Sequence, residues 1–191
     1  MFAGLVLILG AAGMILSDVR TADNAAESNP VPKDDAMTLT IPQMKRVKNV
    51  PVYTASATNK TALHDGTLHI KGTGFPWQRV ANVYIAGHRL GYPRTDSFLV
   101  FYDLNKLRNG NRVVLTDTDD RKYIYRVFHR KVVAPDARHI LEPVPGKNVV
   151  TLQTCTLPNY TKRLLIQAEL DRVITKPQPV QASANKTGQG S

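Results

Sequence analysis

Residues 122–133 read KYIYRVFHRKVV, a long run of β-branched and aromatic side chains interleaved with bases. Such a composition suits a pleated, half-buried strand, and no apolar stripe recurs at helical spacing. Shorter runs of the same kind lie on both sides. Met37–Pro42 (MTLTIP) alternates apolar and polar positions, and Ala81–Gly87 (ANVYIAG), Ser97–Tyr102 (SFLVFY) and Arg112–Thr116 (RVVLT) are short β-rich stretches. Asn148–Thr154 and Arg163–Leu170 (RLLIQAEL) follow. Turn signals at Asn109-Gly110-Asn111, Asp117–Asp120 and Pro145-Gly146 separate them. Helix is confined to a turn near Asp103–Leu107 and another near Lys60–His64. Short strands at regular intervals predict an all-β fold, a closed or nearly closed β-barrel of seven or eight strands with one or two short helical turns. Residues 37–175 form that single domain.

The flanks differ in character. Met1–Leu16 (MFAGLVLILGAAGMIL) carries no charge. A bilayer core needs roughly 20 apolar helical residues, so this stretch is at the short edge of a span. Its glycines Gly4, Gly10 and Gly13 argue against a buried soluble helix. It reads as an N-terminal membrane anchor, with a cleaved signal segment as the alternative. Residues 17–36 hold five acids against two bases, with Pro30 and Pro32, and read as a flexible stalk. The tail 176–191 (KPQPVQASANKTGQGS) has the composition of a disordered segment.

Of the 191 residues 42% are hydrophobic and the net charge is +10, which excludes an acidic or wholly unfolded chain. The folded stretch 37–175 carries 21 basic and 10 acidic side chains, so the positive charge lies in the domain. Cys155 is the one cysteine, which excludes an intramolecular disulfide and a zinc site built on several thiolates.

Cys155 sits directly after the apparent strand Val149–Thr154 and precedes the turn Leu157-Pro158-Asn159, an accessible place for a thiol. His88 ends another, after the small residues Ala86 and Gly87. An imidazole that shares a proton with a thiol supplies what nucleophilic sulfur chemistry needs. Arg163, eight residues beyond Cys155, opens the next strand, where a guanidinium can stabilise an oxyanion on an attacked carbonyl. Read singly, Cys155 also fits a small buried hydrophobe and Arg163 an exposed strand-end charge.

The wording of the segments goes further. Thr151-Leu152-Gln153-Thr154-Cys155 matches the Thr-Leu-x-Thr-Cys signature of sortases. Ala86-Gly87-His88-Arg89 resembles the family's histidine motif, and Arg163-Leu164-Leu165-Ile166-Gln167-Ala168 the strand opened by its essential arginine. Gly66–Asn82 resembles the segment leading into the histidine strand. The resemblance runs from about Leu39 to Val173 and implies a membrane-anchored extracellular cysteine transpeptidase. Cys155 would be the nucleophile, His88 the general acid/base and Arg163 the oxyanion or positioning group, with Thr154 touching substrate. Such an enzyme cleaves a C-terminal sorting signal between Thr and Gly and passes the acyl group to a cell-wall precursor amine; a pilin lysine is the alternative acceptor. The short interval from Cys155 to Arg163, with Pro158 in it, is most like class E sortases of actinobacteria, associated with Leu-Ala-x-Thr-Gly signals. Phe75-Pro76-Trp77-Gln78-Arg79 departs from the usual family wording.

In residues 134–147 (APDARHILEPVPGK), Ile140, Leu141 and Val144 suit the apolar wall of a peptide groove. No cofactor or metal is expected. His64, Asp65 and His69 lack the further ligands of a metal site and read as solvated loop residues. Asp119-Asp120 lacks the acids of a calcium site. His129 and His139 match no motif. The bases and aromatics of 121–131 suit an anionic cell envelope rather than nucleic acid. A water-consuming thiol hydrolase and an inactive barrel that binds wall polymer or peptide are the rival functions.

Overall fold

In the computed structural model, which describes residues 29–175, strand β1 (Met37–Thr40) leads to β2 (Val50–Ala55), helix α1 (Lys60–Asp65), β3 (Thr67–Ile70) and β4 (Ala81–Ala86). After a 3₁₀ turn at Leu104–Lys106 come β5 (Arg112–Asp117) and β6 (Lys122–Val133). A second 3₁₀ turn at Arg138–Leu141 precedes β7 (Asn148–Cys155) and β8 (Arg163–Ile174). Hydrogen bonding closes the strands into a barrel in the order β1-β2-β3-β4-β7-β8-β6-β5. The pairs β2–β3 and β4–β7 are parallel and the others antiparallel.

Alternation fills the barrel. Val83 and Ile85 of β4, Val150 and Leu152 of β7, Leu164 and Ile166 of β8 and Tyr123 and Tyr125 of β6 point inward with Leu39, Leu115 and Phe101. β4 departs from the pattern of a strand with one wet face, because all six of its residues are buried. Its outward positions Asn82, Tyr84 and Ala86 therefore need a cover. The connection 134–147 supplies it: Tyr84 packs with Val133 and Leu165 beneath Ala137, Ile140 and Leu141. Asn82 pins that connection by donating from Nδ2 to the carbonyls of Ile140 (2.8 Å) and Glu142 (3.0 Å).

Register fixes which end is which. Met37 lies opposite Asp117 and Lys122 opposite Ile174, so both described ends of the chain meet at one end of the barrel. Val133 lies opposite Arg163, and Arg163 opposite Cys155, at the other.

Several expectations are corrected. SFLVFY at 97–102 is no strand but a succession of turns, with Val100 N donating to Ser97 O and Tyr102 N to Leu99 O at 3.1 Å each. Val100 and Phe101 join the core, with Phe101 fully buried, while Tyr102 is exposed. β2 and β3 arise where no strand was expected: β2 contains Pro51 and β3 is four residues long, so neither presents a clear β pattern. His69 is no solvated loop residue; it is wholly buried in β3, within 3.2 Å of Thr54 Oγ1 and 3.0 Å of both Thr73 Oγ1 and Gly74 O. His64 lies in α1, at the helical turn expected near Lys60–His64, rather than in a loop. Arg121 is not on the basic face, because a buried ion pair with Asp117 holds it inside. Its Nη1 also donates to the carbonyl of Pro30, and Pro32 is buried, so residues 29–36 lie partly against the barrel. The expected anchor 1–16 and tail 176–191 lie outside the described residues, and among those described no helix is long and apolar enough to cross a membrane.

Candidate active site

Cys155 and Arg163 are direct cross-strand partners at the last rung of the β7–β8 hairpin. Just beyond, Thr156 N donates to Lys162 O (3.0 Å) and Tyr160 N to Thr156 O (2.9 Å), which tightens the loop and fixes the spacing of thiol and guanidinium. Tyr160 adopts a left-handed backbone (φ 56°). Its carbonyl and that of Lys162 accept from Arg163 Nη1 at 3.0 and 3.2 Å. One nitrogen of the fork is thereby occupied, and the others remain for a ligand.

His88 reaches the same place along the neighbouring parallel strand. Gly87 N donates to Gln153 O (3.0 Å), and Thr154 Oγ1 donates to Gly87 O (2.8 Å), so the chain after β4 runs beside the end of β7. Gly87 is required by space: a Cβ there would fall 2.5 Å from the Phe101 ring. Thiol, imidazole and guanidinium all border one cavity of about 500 Å³ on the outer face of β4 and β7, under the covering connection. Tyr84 and Ala86 border it from β4, Ile70 from β3, Leu63 from α1, and Ile140 and Leu141 from the covering connection. A smaller hollow of about 310 Å³ also reaches His88 and Cys155, bounded by Arg89–Tyr92 and Tyr160.

Burial holds the His88 imidazole below its usual pKa, and the nearby His64 pushes in the same direction. Burial raises the Tyr84 phenol well above its usual range, against the pull of Arg163. That hydroxyl stays a donor, to Gln153 Oε1 at 2.6 Å.

Of the residues the sequence singled out, His88, Cys155, Arg163, Ile140, Leu141 and Thr154 border the main cavity. Thr154 is 2% exposed and its hydroxyl is committed to Gly87, so its visible work is joining β4 to β7. Val144 lies elsewhere, in a separate depression of about 210 Å³ with Lys131 and His139. His129 is exposed on β6 beside the Phe128 ring. Sequence reasoning missed Tyr84, Gln153 and Asn82. The unbroken apolar character of ANVYIA was the available signal, since a strand buried on both faces implies a covering segment and an outward-facing surface worth covering. Among the described residues no group of three or more His, Cys, Asp or Glu side chains could hold a metal ion, and Asp119 pairs with Arg121.

A thiol and an imidazole on the rim of one cavity, with a guanidinium across one β-rung and apolar side chains alongside, is an arrangement suited to nucleophilic sulfur chemistry on an acyl group. Comparison with known proteins narrows the class. The model of the Sortase domain matches residues 39–171. Sortase A of Streptococcus agalactiae is 32% identical over 91 residues, a match spanning 48% of this chain and 36% of that protein. Among solved structures, sortase C2 of the group B Streptococcus pilus island 1 is 30% identical with a TM-score of 0.63, covering 75% of this chain and 77% of that one. Sortase C-1 of Actinomyces oris is 27% identical, also with a TM-score of 0.63, covering 73% and 76%. The chain belongs to the sortase family.

Proposed function

We propose that this chain is an extracellular, membrane-anchored cysteine transpeptidase that cuts a sorting signal between Thr and Gly and joins the upstream protein to a cell-wall amine. The observation that carries the reading is the facing of Cys155 and Arg163 across the β7–β8 rung, with His88 bordering the same cavity. In the first half-reaction the Cys155 thiolate adds to the Thr carbonyl. Imidazolium His88 protonates the departing glycine amine, the C–N bond breaks, and a thioester remains on Sγ. In the second, neutral His88 takes a proton from an incoming primary amine, whose nitrogen attacks the thioester. A new amide forms and the thiolate leaves. Arg163, with Nε and Nη2 free of the loop carbonyls, stabilises the oxyanion in both. The depressed basicity of His88 limits the share of molecules holding thiolate and imidazolium together, which favours slow turnover.

The apolar side chains of Leu63, Ile70, Ile140 and Leu141 suit the leucine and the alanine or proline of a Leu-Ala-x-Thr-Gly or Leu-Pro-x-Thr-Gly peptide. The short Cys155–Arg163 interval supports a class E assignment with the Leu-Ala signal and a peptidoglycan-precursor acceptor. Likeness to a sortase C2 of a pilus island supports a second reading, in which a pilin lysine is the acceptor.

Intact-mass spectrometry of the full chain with either peptide, beside Cys155→Ala, tests this. An adduct on Cys155 that diaminopimelate or a lysine-bearing peptide converts to ligated product is expected. Hydrolysis alone in the presence of amine refutes transfer, and no adduct with either peptide refutes the sorting-signal substrate.

A further inference from the structure

Three rings meet beside the nucleophile. His64, on the last turn of α1, lies 5.9 Å from His88 between ring centroids, with the planes 31° apart. Tyr92 completes the triangle, 4.9 Å from His64 at 70° and 6.0 Å from His88 at 90°. Gly91 also lies against the His88 imidazole, since a Cβ there would fall 2.8 Å from its Cγ. Backbone bonds fasten the group. Ser97 N donates to His64 O (3.2 Å), Gly91 N to Phe98 O (2.8 Å) and Phe101 N to His88 O (2.9 Å), so α1 is stitched to the loop that carries His88.

What is missing is as informative as what is present. In many nucleophile–base pairs a third group orients the base through a hydrogen bond. Here His88 Nε2 is buried without a hydrogen-bond partner among the described residues. Ring packing is left to hold the imidazole.

We propose that His64 is a positioning residue for His88: its ring, with that of Tyr92, holds the His88 imidazole in the orientation that exchanges a proton with Cys155. The inference rests on the transpeptidase reading above. His64 has a second effect, because a charge on it opposes a charge on His88. The other ionisable groups that border the same two hollows as His88 are Arg89, Tyr92 and Tyr160, with Tyr84 on β4, Cys155 on β7 and Arg163 on β8. Asp136 and Arg138 of the covering connection also line the main cavity.

The test uses His64→Ala and His64→Phe in the full chain. A misplaced base loses rate rather than binding, so His64→Ala is expected to lower kcat for peptide cleavage about ten-fold with KM within about two-fold. His64→Phe keeps a ring in place without an ionisable group. It should retain kcat within about three-fold near neutral pH and raise the midpoint of the His88 imidazole titration followed by NMR. A His64→Ala enzyme with kcat within about two-fold of the parent overturns the proposal. So does equal loss in both variants with the His88 titration unmoved, which marks a purely structural role. The titration needs no substrate, which separates the two readings: a midpoint raised by His64→Phe in a chain that acylates no peptide sinks the proposed function while supporting the His64–His88 coupling.

Discussion

Replacing Asp117 with alanine is expected to destabilise the barrel severely while sparing its chemistry. Asp117 Oδ1 accepts the backbone N–H of Asp119 and of Arg121 at 3.0 Å each, and Oδ2 accepts Arg121 Nε at 2.8 Å and the Tyr123 hydroxyl at 2.9 Å. The carboxylate is 0% exposed and the Arg121 side chain 7%. Removing one member of a buried, hydrogen-bonded ion pair costs about 3–5 kcal/mol, because the other charge stays buried without its partner. Arg121 keeps Asp119 Oδ2 at 3.2 Å and the Pro30 carbonyl, so the lower end of that range, about 3 kcal/mol, is expected. For a domain of this size that corresponds to a fall in Tm on the order of 10 °C. Trp77, the one tryptophan and 6% exposed, reports urea unfolding by its fluorescence. The double variant Asp117→Leu/Arg121→Met removes both charges and should lose much less than Asp117→Ala. Peptide cleavage at 25 °C should stay near the parent rate, since Asp117 sits at the end of the barrel away from Cys155. A loss below about 1 kcal/mol in Asp117→Ala, or an equal loss in the double variant, refutes the reasoning.

Three further outcomes are expected. Arg163→Lys keeps the charge but not the planar fork, and should lower kcat about 10²-fold with the fold intact by circular dichroism; a lysine enzyme near parental rate would show that charge alone suffices. Asn82→Ala frees the Ile140 and Glu142 carbonyls and loosens the cavity wall, so peptide KM should rise about ten-fold with kcat changed less, and an unchanged KM would separate that wall from substrate. Burial holds His69 and His88 below their usual pKa in the folded state, while the unfolded chain takes up protons near about 6.5. Their contribution to stability is therefore complete above about pH 7 and is lost as pH falls towards the depressed folded values. Urea unfolding at pH 7.5 and 5.5 reads this loss, His69→Gln should shrink it, and a stability that rises on acidification would contradict the sign.

β6 was legible to the residue, because KYIYRVFHRKVV is long, unbroken and bounded by turn residues. SFLVFY has the same apolar and aromatic character yet coils into turns. Composition records burial there, and only tertiary packing decides that Phe101 plugs a barrel end rather than joining a ladder. The grouping of the candidates was legible because Cys155 ends β7, Arg163 opens β8 across one tight hairpin, and His88 follows just after β4. The cover over β4 was half legible, with Ile140 and Leu141 placed and Val144 turned to another hollow. His64 was not legible, because its neighbourhood to His88 comes from folding α1 against a loop 24 residues further along the chain, and no local pattern encodes that distance.

The register of β8 has a practical consequence. Its span from Arg163 to Ile174 covers about 30 Å of barrel height once strand tilt is allowed for. Met37 and Ile174 both stand at the far end from Cys155. Any support gripping the chain upstream of β1 or downstream of β8 therefore presents the cavity outward, like a tool held by its handle. A bead, a fused reporter or a lipid surface attached at either end leaves the trough open, and two such domains mounted side by side would offer their thiols to the same layer of solution.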